Sequence, residues 1–206
     1  MSEGKTLQVG ASTVYTVGHS NVSQEVFVTL LKSHDIEVLV DVRSAPYSKY
    51  VPHFNADVLK PAVNRAGIKY LYLGRELGGR PRERQFYDAA GHVRYDRIAE
   101  SPEFRGGIER LLRGAREHRV ALLCNEENPA ECHRRLLVGR VLVEKGVRVL
   151  HIRGDGRVEP EEVLAAAERQ AEPNQQEFAF AAREKPEWKS TRSVSQARPR
   201  KPSSAR

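Results

Sequence analysis

Short apolar, β-prone runs alternate with amphipathic stretches along most of this chain, and that alternation narrows the fold more than any other feature. The runs are Thr13–Val17, Glu37–Val42, Lys69–Leu73, Val120–Cys124 and Arg148–Ile152. Between them lie segments with helical spacing: Gln24–Ser33, with apolar Val26, Phe27, Leu30 and Leu31, then Asn55–Ala66, Pro102–Glu117 and Pro129–Lys145. Glu161–Gln170 closes the series with one more helix. Ser23 is placed to cap the first helix, and Ser101-Pro102 sets a cap and a first-position proline before the third. Gly67 and Gly146 follow helix ends, where a left-handed residue stops the helix. The stretch from Gly74 to about Glu100 reads as irregular. Strands joined through helices pair in parallel and are covered on both sides. The expected fold is α/β: a single three-layer domain with a mainly parallel sheet and helices on both faces.

Length and charge set the boundaries. The 206 residues suit one domain with an appendage, and a hydrophobic fraction of 39% suffices for one core. We expect an N-terminal extension over residues 1–12, the α/β domain over 13–170, and a disordered basic tail rich in Pro, Ser and Arg over 171–206. From Arg183 onward there are eight basic and two acidic residues, so this segment carries +6 of the net +7. Such a tail cannot bury a core. It is suited to loose contact with nucleic-acid phosphates, or simply to solvation. No run approaches membrane-spanning length, and Met1–Gln8 lacks the apolar centre of a signal peptide. A cytoplasmic protein without a membrane partner is expected, its two cysteines kept as thiols.

The chemistry concentrates where the strands end. Ligands of open parallel sheets bind beyond the carboxyl ends of the strands. His19 and Ser20 follow the first strand, Asp41 and Arg43 end the second, and Arg75 and Glu76 follow the third. Cys124, Asn125 and Glu126 end the fourth, and His151 lies in the fifth. The densest segment runs from Cys124 to Arg135 and holds both cysteines, three carboxylates, His133, Arg134 and Arg135. Asn128, Pro129 and Glu131 read as cap, first position and capping-box partner, which places Cys132 in the first turn of a helix beginning at Pro129. A helix N-terminus and nearby cations favour a thiolate, so Cys132 is the better nucleophile of the two. The competing reading makes both cysteines small buried hydrophobes. Likewise His19 can cap a turn, and Asp41 can simply pair with Arg43. A metal site from Cys124, Cys132, His133 and His19 matches no finger, ribbon or deaminase spacing, so neither a metal nor a cofactor is expected.

Taken together, Gly18-His19-Ser20, Asp41-Val42-Arg43 with Pro46 and Ser48, Phe54, Tyr70 with Leu77-Gly78-Gly79, and Leu123-Cys124-x-Glu126 with Cys132-His133-Arg134 resemble the domain-of-unknown-function 488 (DUF488) family. The resemblance spans roughly residues 13–155 and implies a compact α/β domain without implying a substrate. More distantly, a strand ending Asp-Val-Arg and a later strand ending in Cys resemble the layout of rhodanese-type sulfurtransferases. There the strand-end thiol, here Cys124, carries a persulfide in a ring of backbone N–H groups. Here the equivalent loop is long and acidic, and Pro129 has no N–H to give.

These readings converge on one expected site for a small anionic ligand of phosphate or nucleotide type. His19, Asp41, Glu126, Cys132 and His133 are its candidate catalytic residues. Ser20, Arg43, Cys124, Asn125 and Arg134 are its candidate binding residues, with the planar forks of Arg43 and Arg134 holding the anion. Glu126 or Asp41 is the base, and His19 or His133 shuttles protons. If the protein is an enzyme, it is a hydrolase or a transferase. The alternatives are a non-catalytic nucleic-acid-associated module working through the tail, and a sulfur-transfer or thiol redox protein.

Overall fold

A computed structural model of the chain describes residues 12–171 and 187–193. Six strands form one sheet in the order β3-β2-β4-β1-β5-β6. They are β1 (Thr13–Gly18), β2 (Val38–Asp41), β3 (Lys69–Tyr72), β4 (Val120–Cys124), β5 (Arg148–Ile152) and β6 (Val158–Pro160). The first five are parallel, and β6 runs antiparallel to β5. The fold is the expected α/β arrangement. The short hairpin strand β6 was not expected, because Val158–Pro160 carries no alternation to mark it.

Strand residues alternate between two cores. Val14, Val40, Leu122 and Val149 point to one face, where α3 (Tyr95–Glu100), α4 (Pro102–Glu117) and α5 (Arg140–Glu144) contribute Ile98, Phe104, Ile108 and Leu142. Tyr15, Val17, Leu39 and Leu123 point to the other, against Phe27 and Leu31 of α1 (Gln24–Ser33) and Leu59 and Val63 of α2 (Ala56–Arg65). Both central strands, β1 and β4, are almost wholly buried, as the covered strands of a parallel sheet must be. Ser23 and Ser101 cap α1 and α4 as expected, accepting from Val26 N–H and Phe104 N–H. The last helix, α6 (Glu161–Ala171), packs beside β5 and β6.

Three expectations are corrected. Helix α3 lies within the stretch read as irregular; its six residues are too few to show a period. The segment expected as one helix over Pro129–Lys145 is broken. A single 3-10 turn, Pro129–Glu131, ends at Cys132, whose backbone is extended (φ −108°, ψ 137°). The chain then re-enters helix, with a π-helical segment over Arg134–Gly139 leading into α5. Asn128 does cap, but it accepts from Ala130 N–H, which serves the 3-10 turn alone. Finally, part of the tail is attached. Trp188 Nε1–H donates to the Leu136 carbonyl at 2.7 Å, and the Arg140 guanidinium lies 4.3 Å from its ring. Ser190 is buried and bonds both backbone groups of Val93. One large aromatic anchors a segment whose composition is otherwise that of a solvated chain. Residues 1–11, 172–186 and 194–206, which carry the rest of the expected extension and tail, lie outside the described residues.

Candidate functional site

The register brings the ends of β1, β2 and β4 to one level. Gly18 sits beside Cys124, and Asp41 beside Leu123. Past the strands, His19 N–H still reaches the Cys124 carbonyl at 3.1 Å and Ser20 N–H the Asn125 carbonyl at 2.8 Å. The loop after β4 thus folds over β1, so closely that a Cβ on Gly18 would lie 1.7 Å from the Glu126 carbonyl oxygen. Because Asp41 is level with Leu123 rather than Cys124, Asp41 and Cys124 point to opposite faces. The single site expected from the sequence is therefore two adjacent clusters.

The first is ionic and closed. Asp41 is fully buried and accepts from Arg43 Nε at 2.9 Å, Arg43 Nη2 at 2.5 Å and Tyr70 Oη at 2.5 Å. Arg43 Nη1 lies 3.2 Å from His19 Nε2, and Asn125 meets the same nitrogen at 2.9 Å. His19 Nδ1–H donates to the Ser20 carbonyl at 2.7 Å, and the ring stacks on Phe54 at 4.1 Å. Burial holds the His19 pKa below its ordinary value, and the Arg43 charge adds to this against the opposing hydrogen bonds. A neutral ring with Nδ1 protonated leaves Nε2 to accept from Arg43, and Asn125 joins it only by turning its amide N–H₂ rather than its oxygen to that nitrogen. Burial disfavours the Arg43 charge, but Asp41 outweighs it and holds the guanidinium pKa above ordinary. Tyr70, raised by burial and by Asp41, keeps its proton for the same bond. Nothing in the sequence marked Tyr70 as a partner of Asp41, since the pairing arises only from the β2–β3 register.

The second cluster joins Cys124, Glu126, Cys132 and His133. The extended backbone at Cys132 turns its side chain back toward the end of β4. Both cysteines are free and buried. Glu126 Oε2 accepts from Cys124 Sγ at 3.1 Å and from Cys132 Sγ at 3.3 Å. His133 Nδ1 lies 3.6 Å from Cys124 Sγ, while its Nε2–H donates to the Val42 carbonyl at 2.9 Å. The two sulfurs and His133 Nδ1 all lie within 4.8 Å of one another. Hydrogen bonding to Cys132 and burial push the Cys124 thiol well up. Burial opposes ionisation of Cys132 too, but bonds from Cys124 and His133 and the charge of Arg134 bring it well down. Its carbonyl also accepts the first helical N–H bonds, from Arg135 and Leu136, so it meets the positive end of that helix. Burial lowers the His133 pKa, and the interaction with Cys132 more than offsets it, for a net rise. Glu126 is exposed, so the cluster meets solvent through its carboxylate.

Other candidates are placed differently. Arg134 is fully buried, and its guanidinium donates to the carbonyls of Glu126 and Glu127 and to Thr16. It pins the loop from inside. Arg43 is likewise committed to Asp41, so neither arginine is free to hold an anion. Arg135 forms ion pairs with Glu161 and Glu168. His151 is buried between Thr16 and Glu161, a structural strand residue. Ser20 is exposed in a left-handed turn (φ 46°), and its side chain reaches only Asn21. Among the described residues no backbone N–H reaches either sulfur, so the persulfide ring of the rhodanese layout is absent there.

A pocket of about 640 Å³ is linked to the second cluster through Gly78-Gly79, although none of Cys124, Glu126, Cys132 and His133 lines it. Gly78 lines it, and Gly79 backs onto His133 so closely that a Cβ there would lie 2.5 Å from the ring. Arg75, Arg80, Arg82, Glu76, Glu83 and Glu103 line the rest with Tyr72 and Phe86. Arg75, Arg80 and Arg82 are exposed, and none forms an ion pair among the described residues. Of these, sequence analysis singled out only Arg75 and Glu76. The Gly-Gly-Arg-Pro-Arg run was the available signal for the others.

Fold and edge together define a doubly covered parallel α/β domain with a thiol–carboxylate–imidazole cluster at its carboxyl edge. The chain belongs to the family described as domain of unknown function DUF488, whose profile matches residues 23–141. Comparison with curated proteins and with solved structures finds no significant match. Among the described residues no helix is long and apolar enough to cross a membrane.

Proposed function

We propose that this protein is a cytoplasmic enzyme, a hydrolase or transferase, acting on a small ligand with an anionic group of phosphate or nucleotide type. The observation that carries the reading is the meeting of Cys124, Glu126, Cys132 and His133, joined through Gly79 and Gly78 to a pocket with three unpaired guanidiniums. Arg75, Arg80 and Arg82 take the anion-binding role expected of Arg43 and Arg134. Glu76, Glu83 and Glu103 accept donors from the rest of the ligand, such as the N–H groups of a base. Glu126 exchanges protons with the ligand, since it is the exposed member of the cluster. A thermal-shift screen of the full-length protein across nucleotides, sugar phosphates and thiosulfate tests this. Phosphate-bearing ligands should stabilise the wild type, and the Arg80→Ala/Arg82→Ala double variant should lose the shift. An unshifted wild type, or a shift that survives the double variant, overturns the reading.

A nucleic-acid role for the tail is the second reading, favoured by the +6 charge from Arg183 onward. Two of those cations are already used: Lys189 pairs with Asp88 and Glu187, and Arg192 with Glu131. Truncation after Ser193 removes Arg198, Arg200, Lys201 and Arg206 while keeping the Trp188 anchor. If the tail binds duplex DNA, that truncation should flatten the salt slope of binding by up to about 3.6, roughly 0.9 per phosphate neutralised.

A further inference from the structure

We infer that Cys124, Cys132 and His133 form a site for a zinc-class divalent ion, with Glu126 beside its open coordination position. The inference deepens the proposed function, because it supplies the chemistry of that same cluster. Chain spacing gave no reason to expect a metal. Two ligands are contiguous and the third ends a strand, so the set exists only once the loop has folded back.

For Zn–S of about 2.3 Å and Zn–N of about 2.0–2.1 Å at the tetrahedral angle, a ligating sulfur and nitrogen stand roughly 3.6 Å apart. Cys124 Sγ and His133 Nδ1 are 3.6 Å apart, and Cys132 Sγ lies within 4.8 Å of both. Two thiolates and an imidazole are the donors that favour zinc over hard cations. His133 is held by its far ring nitrogen. Its Nε2–H is held by the Val42 carbonyl, which fixes the tautomer that leaves the Nδ1 lone pair facing the sulfurs. Metal-bound histidines are oriented in this way. Gly79 closes over the ring, where any side chain would displace it. Both sulfurs are nearly excluded from water, at 3% and 1% residue exposure. Two thiolates neutralise a dication, so the two sulfurs and the imidazole balance its charge without a fourth charged ligand. Binding displaces two protons from the set of Cys124, Cys132 and His133: M²⁺ with two thiolates and a neutral imidazole is a neutral centre, and two protons are released.

The fourth position then falls to water. Glu126 Oε2 lies 3.1 and 3.3 Å from the two sulfurs, next to that vertex. When the thiols lose their protons, it is freed to accept one from a bound water. Three protein ligands with an open position are the arrangement of catalytic zinc sites.

The full-length protein, reduced and stripped with a chelator, is to be titrated with Co²⁺ and with Zn²⁺, and metal content measured after desalting. One equivalent per chain is expected, with the thiolate-to-cobalt charge-transfer band and the intense visible bands of a tetrahedral site. Cys124→Ser and Cys132→Ser should each lose the tight equivalent, Glu126→Gln should keep it, and Gly79→Ala should weaken it by roughly 10–100-fold. Should the cysteine variants not fold, a thiol-specific mercurial on the wild type gives the same answer: two thiols modified should release one zinc. A wild type that retains no metal, or a Cys124→Ser/Cys132→Ser double variant that retains it equally, overturns the site. Loss of metal from Glu126→Gln overturns the open position. The two proposals fail separately: ligand-induced shifts in a chain that binds no metal leave the enzyme reading standing, and bound zinc without any ligand shift leaves the metal site standing.

Discussion

The two clusters at the carboxyl edge sit at the ends of neighbouring strands, yet they differ in how far their polar groups are satisfied. Around Asp41, the carboxylate has Arg43 and Tyr70, Arg43 has His19, and His19 has Asn125 and the Ser20 carbonyl. Around Cys132, two thiols share one carboxylate oxygen of Glu126, and an imidazole nitrogen faces a sulfur. A closed buried network fixes a conformation, because breaking any link strands a charge. A cluster of electron-rich donors facing one another is poised for a proton, a metal or a reacting ligand. The first cluster is thus the scaffold of the edge, and the second is where chemistry is placed.

The largest expected effect breaks the scaffold. Asp41→Ala leaves Arg43 buried without a counter-charge and should cost about 3–5 kcal/mol, read from urea unfolding. Cys132→Ser should cost nearer 1 kcal/mol. Equal losses would erase the distinction between the clusters. Next is Gly18→Ala. Its Cβ meets backbone rather than a movable side chain, so the loop carrying Glu126 must shift, at about 1–3 kcal/mol. The same change should alter thiol reactivity without touching either cysteine. A shift in stability with unchanged alkylation rates would show that the clusters do not communicate through this loop.

A smaller effect is tied to pH. The folded pKa of His19 lies below 6.5, so on acidification the unfolded chain takes up this proton first. Its contribution to stability is present above about pH 6.5 and is lost as pH falls toward the folded value. His133 is raised instead, so its contribution changes only above that pH. The lowered carboxylates, among them Glu127 and Glu161, act below about pH 4.5. Melting temperatures between pH 6.5 and 5 should therefore fall for the wild type and fall less for His19→Asn. Parallel profiles would show that His19 is protonated in the fold. The smallest change in stability, but the sharpest probe of the second cluster, is alkylation of the metal-free protein. Cys132 should react faster than Cys124 near neutral pH, because its thiol is shifted down and that of Cys124 up. Separate Ser variants assign each rate, and a faster Cys124 would reverse the roles of the two thiols.

The clarity of the sequence differed between the clusters. Parallel pairing made it legible that His19, Asp41, Arg43 and Cys124 end strands on one edge, because the crossover helices leave the strands no other direction. It was not legible that Asp41 and Cys124 face opposite sides. That depends on a one-residue offset in register, which no local pattern encodes. The directions of the arginines were hidden for a related reason. A guanidinium next to a reactive segment reads as an anion holder, but Arg134 is turned inward to satisfy carbonyls that the loop would otherwise bury unpaired. Trp188 shows the same limit in the tail, where one aromatic decided what composition could not.

By itself, then, the sequence determined the alternation of elements, the parallel sheet and the edge at which polar chemistry gathers. These follow from hydrophobic period, helix caps and crossover handedness, all of which act over short spans of chain. Only the tertiary structure decided which of those polar groups are spent on one another and which are left to act. That choice rests on the break at Cys132 and the return of the loop over Gly18. The return of the loop is held by contacts between residues 105 positions apart, His19 with Cys124 and Ser20 with Asn125, whose hydrogen-bond geometry exists only after the sheet has formed.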